Sequence, residues 1–287
     1  VKFTEDGGVT VSLKDRLSGR QYTLRARYLV GADGARSKVM EDLGLPLEGH
    51  LARAATAYVF FRADLSRYTA HRPSILYWIV TSNAAFGEIG LGVLRAIEPW
   101  NRWIAGWGLD MSKGEPDLSV DEVTRRVRLL VGDPLLEIEI DTTSIWYVNQ
   151  AHAPVYSKGR VFCGGDAVHR HPPSSGLGSN TCLGDAFNLA WKLAFVVKGH
   201  AGEKLLDSYS LERAPVGAQV VARANQSRLD YGPLNKCFRD PSAADPVASG
   251  LAQLADPGAE GAARRAALAD ALDLKNFEFN AEGVELN

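Results

Sequence analysis

The densest set of chemistry-bearing residues runs Gly164-Gly165-Asp166-Ala167-Val168-His169-Arg170-His171-Pro172-Pro173-Ser174-Ser175-Gly176-Leu177-Gly178-Ser179-Asn180. A carboxylate directly after a glycine pair can accept hydrogen bonds from sugar or polyol hydroxyls, while the glycines let the backbone come close to a ligand. A glycine loop that opens a helix offers amide N–H groups, and the positive end of the helix dipole, to negative charge. Together these suit a large, planar, anionic cofactor. Taken singly, the same residues read equally well as turn glycines and a strand-end cap. It is their order that favours a ligand: strand, acid, Pro-Pro corner, Gly-x-Gly-x-Asn, helix.

The other reactive side chains are less telling. His169 and His171 alternate, with His152 upstream, but no Cys or carboxylate stands at metal-ligand spacing beside them, so they read as structural histidines and no metal is expected. Glu212-Arg213 reads as a structural ion pair or cap. Tyr77, Trp78, Trp100, Trp103 and Trp107 read mostly as core. Cys163, Cys182 and Cys237 are too few and too scattered for a disulfide framework, and suit a reducing compartment.

The elements that must carry these residues can be placed by pattern. After the turn Asp6-Gly7-Gly8, Val9, Val11 and Leu13 alternate with polar residues as in a hairpin strand. A strand Tyr28-Leu29-Val30, the loop Gly31-Ala32-Asp33-Gly34-Ala35-Arg36-Ser37 and a short helix ending near Gly44 make an α/β element. Aromatic and β-branched runs at 57–61, 75–80, 88–94 and 102–109 predict an antiparallel sheet of about four strands. Ser119 is the expected cap of a helix over 120–131 that Gly132-Asp133-Pro134 ends. Short strands are predicted at 145–148 and 159–163. A helix from about Thr181 to Val197 is apolar nearly all round and is expected to be buried. Another runs from Leu205 to about Arg228, broken or bent near Pro215. Beyond Pro241 a looser segment with one helix over 259–272 is expected.

Composition narrows the function. In 287 residues, 46% are apolar and 23% charged, which excludes a disordered chain. With 32 Lys+Arg against 34 Asp+Glu, there is no basic excess of the kind a nucleic-acid binder needs. The apolar runs are too short for a membrane span, and the start, Val1-Lys2-Phe3-Thr4-Glu5-Asp6, lacks a signal-peptide pattern. A soluble, cytoplasmic protein with neither nucleic acid nor membrane as partner is expected.

The stretch from Gly159 to Ser227 resembles the single-component FAD-dependent aromatic hydroxylases, and within them the phenol and 2,4-dichlorophenol monooxygenase branch. The resemblance is carried by Gly176-Leu177-Gly178-Ser179-Asn180-Thr181, by Asp185-Ala186-Phe187-Asn188-Leu189-Ala190-Trp191-Lys192 and by Tyr209-Ser210-Leu211-Glu212-Arg213. Asp33-Gly34 with Arg36-Ser37 is similar to that group's second fingerprint. The fold so implied is the FAD/NAD(P)-binding flavoprotein hydroxylase fold, an α/β architecture with an inserted antiparallel β-sheet substrate domain. Its expected divisions are 1–50 with 150–230 for the FAD-binding part, 51–149 for the substrate sheet, and 231–287 for a C-terminal helical or irregular segment.

The resemblance also implies roles. Gly165 and Asp166 would hold the ribityl and pyrophosphate region of FAD, Pro172 and Pro173 would shape the pocket beside the flavin ring, and the amides of Gly176, Leu177, Gly178, Ser179 and Asn180 would face its pyrimidine side. Asp33, Gly34 and Arg36 would lie near the cofactor and the path of the nicotinamide donor. Trp78 and Arg95 sit in strands resembling those that floor the substrate pocket. The implied activity is NAD(P)H-dependent hydroxylation of a phenolic, including a chlorinated, ring with O2, in a protein for which a homodimer is compatible. A polyketide or quinone hydroxylase and a noncatalytic remnant are the alternatives. The group's Gly-x-Gly-x-x-Gly loop has no counterpart here, since Gly31-x-x-Gly34 and Gly90-x-Gly92 have the wrong spacing. The expectation is therefore a fragment that lacks an N-terminal βαβ unit and a C-terminal thioredoxin-like domain, and that binds FAD weakly or not at all.

Overall fold

The computed structural model describes residues 2–3, 8–81 and 91–280. The chain forms two units, one of residues up to 51 with 149–226, the other of 52–148 with the described residues from 227 on. In chain order, β1 (Lys2–Phe3), β2 (Val9–Lys14) and β3 (Gln21–Ala26) make an antiparallel three-stranded sheet in the first unit. Asp6 and Gly7 of the expected turn lie outside the described residues. Strand β4 (Leu29–Gly31) leads to helix α1 (Lys38–Leu43), which Ser37 caps by accepting from the Met40 amide.

Strand β5 (Glu48–Arg62) begins far ahead of the expected 57–61. Its early residues are exposed and do not alternate, so pattern alone could not find them. A single helical turn, α2 (Ser66–Thr69), precedes β6 (Leu76–Ile79), β7 (Gly92–Glu98) and β8 (Arg102–Leu109). The last matches its expected range, whereas β7 lies later than 88–94, of which 88–90 fall outside the described residues. Helix α3 (Val120–Val131) has the expected bounds, with the Ser119 hydroxyl accepting from the Glu122 amide and Gly132 left-handed at its end. Strand β9 (Glu139–His152) is longer than the expected 145–148. In the second unit the strands run β9-β5-β8-β7-β6, five rather than about four. One face buries Val59, Phe61, Trp103 and Trp107 against Val123, Val127 and Leu130, the i, i+4, i+7 stripe of α3.

In the first unit β10 (Ser157–Lys158) pairs antiparallel with β11 (Val161–Cys163), which lies parallel to β4. Strand β12 (His169–Arg170) pairs with the end of β9, His169 opposite His152. Helix α4 (Leu177–Val197) starts four residues earlier than expected and corrects a second expectation. Its buried residues include Thr181, Asp185 and Lys192, while Leu183 and Phe187 are 68% and 78% exposed and Trp191 and Phe195 also face outward. The helix turns charges inward because helix α5 (Asp207–Leu229) supplies their counter-ions: Glu212 to Lys192 and Arg213 to Asp185. Pro215 lies inside α5 without breaking it. The acceptor it forgoes is the carbonyl of Leu211, an exposed residue where water can serve. Beyond it come α6 (Tyr231–Cys237), α7 (Pro246–Ala255) and α8 (Ala259–Asn280), three helices where one ending at 272 was expected.

Candidate functional site

The parallel pair β4 and β11 sets the geometry of the first unit. Cys163 stands opposite Gly31, and the Gly164 amide donates to the Gly31 carbonyl at 3.1 Å. The loops that follow, 32–37 and 164–168, therefore leave the same ends of two neighbouring strands. The carboxyl ends of adjacent parallel strands are where α/β sheets bind ligands.

In the first loop Asp33 is committed to structure. One carboxylate oxygen accepts from the Ser37 hydroxyl at 2.6 Å and the other from the Val39 amide at 3.1 Å. Burial pushes its pKa up, but these hydrogen bonds outweigh it and hold the carboxyl below its ordinary value. Asp33 thus shapes the loop and the start of α1, with Gly34 in the left-handed region and Arg36 exposed.

The second loop hangs on a residue to which the sequence motifs assign no role. Asp185 of α4, 2% exposed, accepts from the Gly165 amide at 3.0 Å, His169 Nε2 at 2.8 Å and Arg213 Nε at 2.8 Å. Burial alone would raise its pKa, yet the donors win and hold it below the ordinary carboxylate value. One turn from Arg213, the Tyr209 hydroxyl donates to the Cys163 carbonyl at 2.9 Å, tying α5 to the end of β11. Gly165 sits at φ 64°, and a Cβ there would come within 3.1 Å of Cys182 Sγ, so any side chain at the turn would be strained. A cue in the sequence was available: an acid seven residues before a lysine within an otherwise apolar helix needs a buried partner.

That arrangement leaves Asp166 exposed, its carboxylate 3.8 Å from Cys182 Sγ and its carbonyl accepting from Arg170 Nε at 3.1 Å. Downstream, His171 Nδ1 lies 2.8 Å from the Pro172 carbonyl, and burial holds the imidazole below its ordinary pKa. Pro172 is buried and Pro173 exposed. Helix α4 then starts from left-handed Gly176 with no side chain capping it. Asn180 Nδ2 and Thr181 Oγ1 donate to the carbonyls of Gly176 and Leu177, and the amides of Leu177, Gly178 and Ser179, in the first turn, have no intrahelical acceptors.

These residues fit a flavin nucleotide. An exposed carboxylate can take polyol hydroxyls, uncapped helix amides can take an electron-rich carbonyl edge, and a Cβ at Gly34 or Gly176 would meet no atom within 4 Å, so both loops have room beside them. A metal fits less well, although Asp166, His169 and Cys182 bring donor atoms within 4.8 Å of one another. His169 Nε2 is held by Asp185 and Asp166 is exposed, and burial, then the charges of Asp166 and Asp185, push the Cys182 thiol up. Cys163, pushed up to about 12 by burial, is inert.

In the second unit, register places Trp78 opposite Val93 and Arg95 opposite Leu76, so Trp78 and Arg95 are diagonal neighbours on one face. Tyr58 joins them across Gly106, where a Cβ would come within 3.2 Å of the tyrosine ring. Burial raises the Tyr58 pKa against the opposing charge of Arg95. The sheet's other face is the core with α3, so Trp78, Arg95 and Tyr58 share the face turned away from that core.

The family described as FAD binding domain matches residues 2–224. The chain is 48% identical over 282 residues to 2,4-dichlorophenol 6-monooxygenase of Cupriavidus pinatubonensis, covering 98% of this chain and 47% of that protein. To phenol 2-monooxygenase of a Pseudomonas strain it is 44% identical over 286 residues, covering 98% and 45%. The solved structure of the flavin-dependent monooxygenase PieE with FAD and substrate superposes with a TM-score of 0.90 at 40% identity, covering 99% of this chain and 49% of that one. The chain spans about half the length of the curated relatives it matches.

Proposed function

Because the chain belongs to the FAD binding domain family, we propose that its first unit holds the flavin end of FAD and that the whole protein is an NAD(P)H-dependent monooxygenase of phenolic rings. The observation that carries this reading is the register of Gly31 with Cys163, which sets the two fingerprint loops side by side at the ends of parallel strands. When bound, the flavin supplies the redox chemistry, taking electrons from NAD(P)H and passing an oxygen atom from O2 to the ring.

The protein's own residues bind and orient. Asp166 accepts from ribityl hydroxyls, and Gly165 lets the backbone approach. The amides of Leu177, Gly178 and Ser179, at the positive end of a 21-residue helix and flanked by Gly176 and Asn180, offset negative charge on the ring's pyrimidine side, while the Gly176 amide itself donates to the Pro173 carbonyl at 3.3 Å. Pro172 and Pro173 stiffen the wall beside it. Asp33, Gly34 and Arg36 border the cofactor from the neighbouring loop. On the sheet face, Trp78 offers a flat apolar wall and Arg95 a positive charge that favours a phenol's oxygen. In this reading the FAD-binding part is 1–50 with 150–230, the substrate part is 51–149, and 231–287 follows as a C-terminal segment. No helix among the described residues is long and apolar enough to cross a membrane.

Titration with FAD, followed by flavin fluorescence, tests the cofactor half. Asp166→Ala is expected to weaken binding about 10- to 100-fold, the worth of charge-assisted hydrogen bonds. Unchanged affinity would remove Asp166 from the site. NAD(P)H oxidation across phenols of increasing ring size tests the substrate half. Turnover confined to polycyclic quinones would favour a polyketide-type hydroxylase, and none with any ring would favour a noncatalytic module.

A further inference from the structure

Trp78 lies on β6, a four-residue strand at the edge of its sheet, and is 39% exposed. An edge position with solvent on one side does not fix the orientation of a large ring. What fixes it here comes from far along the chain. The ring of Tyr231, at the start of α6 and itself buried, stands 4.5 Å from that of Trp78, centroid to centroid, at an interplanar angle of 46°. The ammonium of Lys275, in α8, is 3.7 Å from the Tyr231 ring centroid and donates to the Ser227 carbonyl at 2.8 Å. Lys275 is buried and so is Ser227, so this ammonium meets the ring with little water to weaken the attraction.

We infer that Tyr231 and Lys275 are positioning residues that hold the indole of Trp78 in one orientation, and so set which ring substituents the sheet face accepts. The inference rests on the reading of that face as the phenol site. Aromatic pairs tilted as these are have a preferred geometry, and a desolvated cation on the second ring resists its reorientation. Without the ammonium, the stack loses the desolvated cation that favours its tilt, and Trp78 can take other orientations over the face it shares with Val93 and Arg95. A wall that moves admits bulky and small rings alike, so the expected loss is in discrimination more than in affinity.

The test uses phenol and 2,4-dichlorophenol as probes and tryptophan fluorescence as the readout, in the protein without flavin, with Trp78→Phe identifying the Trp78 signal. Lys275→Met and Tyr231→Leu are expected to move the ratio of the two Kd values toward one by about three- to tenfold, and to shift the Trp78 emission. Lys275→Arg and Tyr231→Phe, which keep the charge and the ring, should hold the wild-type ratio, and they show that the effect belongs to the stack rather than to folding. If Lys275→Met and Tyr231→Leu leave the ratio and the emission unchanged while Trp78→Phe weakens binding, the inference fails and the reading of the face stands. If Trp78→Phe itself leaves both Kd values unchanged, that reading fails and the inference with it.

Discussion

The turn around Gly165, held from beneath by buried Asp185, and the sheet core against α3 are fixed by opposite means. The turn hangs on one carboxylate with three donors, from the backbone, an imidazole and a guanidinium. The core is apolar, with Trp103, Trp107 and Val127 each no more than 2% exposed. Apolar packing is non-directional and tolerates small shifts, whereas hydrogen bonds fix atoms in place. The contrast teaches that this molecule spends directional polar contacts where a backbone must be placed against a ligand, and apolar packing where a sheet need only be supported.

Breaking the polar node should have the largest effect. Asp185→Ala leaves the Arg213 and His169 groups without their shared acceptor and is expected to cost about 3–5 kcal/mol in urea unfolding. Asp185 also carries a pH signature that the apolar core lacks. Its folded pKa is depressed, so its contribution is present in full above the unfolded carboxyl's pKa of about 4 and is lost as pH falls through the lower folded value. Stability measured from pH 6 down to pH 2 should decline less steeply in Asp185→Asn than in the wild type. On the apolar side, Val127→Ala should cost about 2 kcal/mol, equally at every pH in that range. Gly165→Ala, forced to adopt a left-handed backbone beside Cys182 Sγ, should lose about 1–2 kcal/mol and weaken FAD binding out of proportion to stability. Ser119→Ala, which removes only the α3 cap, should cost about 1 kcal/mol and leave ligand binding alone.

Legibility in the sequence follows the same divide. Helix α3 was readable to the residue because cap, stripe and stop are all local signals. The two loops could be picked out because their glycines and acids stand close together, whereas Glu212 and Arg213, expected as one ion pair or cap, each pair instead with a residue of α4, Lys192 and Asp185. Hydropathy does not find the buried face of α4 because it assumes that charges face out, and the partners that let Asp185 and Lys192 turn inward lie a helix away. The stack of Trp78, Tyr231 and Lys275 joins three distant stretches and left no mark in any one of them. The long ends of β5 and β9 are polar, and only their pairing makes them strands.

Amide hydrogen exchange, with FAD raised until quenching of flavin fluorescence saturates, tests the central claim most directly. The account expects slowed exchange concentrated in 31–37 and 164–180, where the two loops and the uncapped start of α4 would meet the flavin. Unchanged exchange over both stretches at the highest soluble FAD, or slowing confined to other parts of the chain, would contradict it.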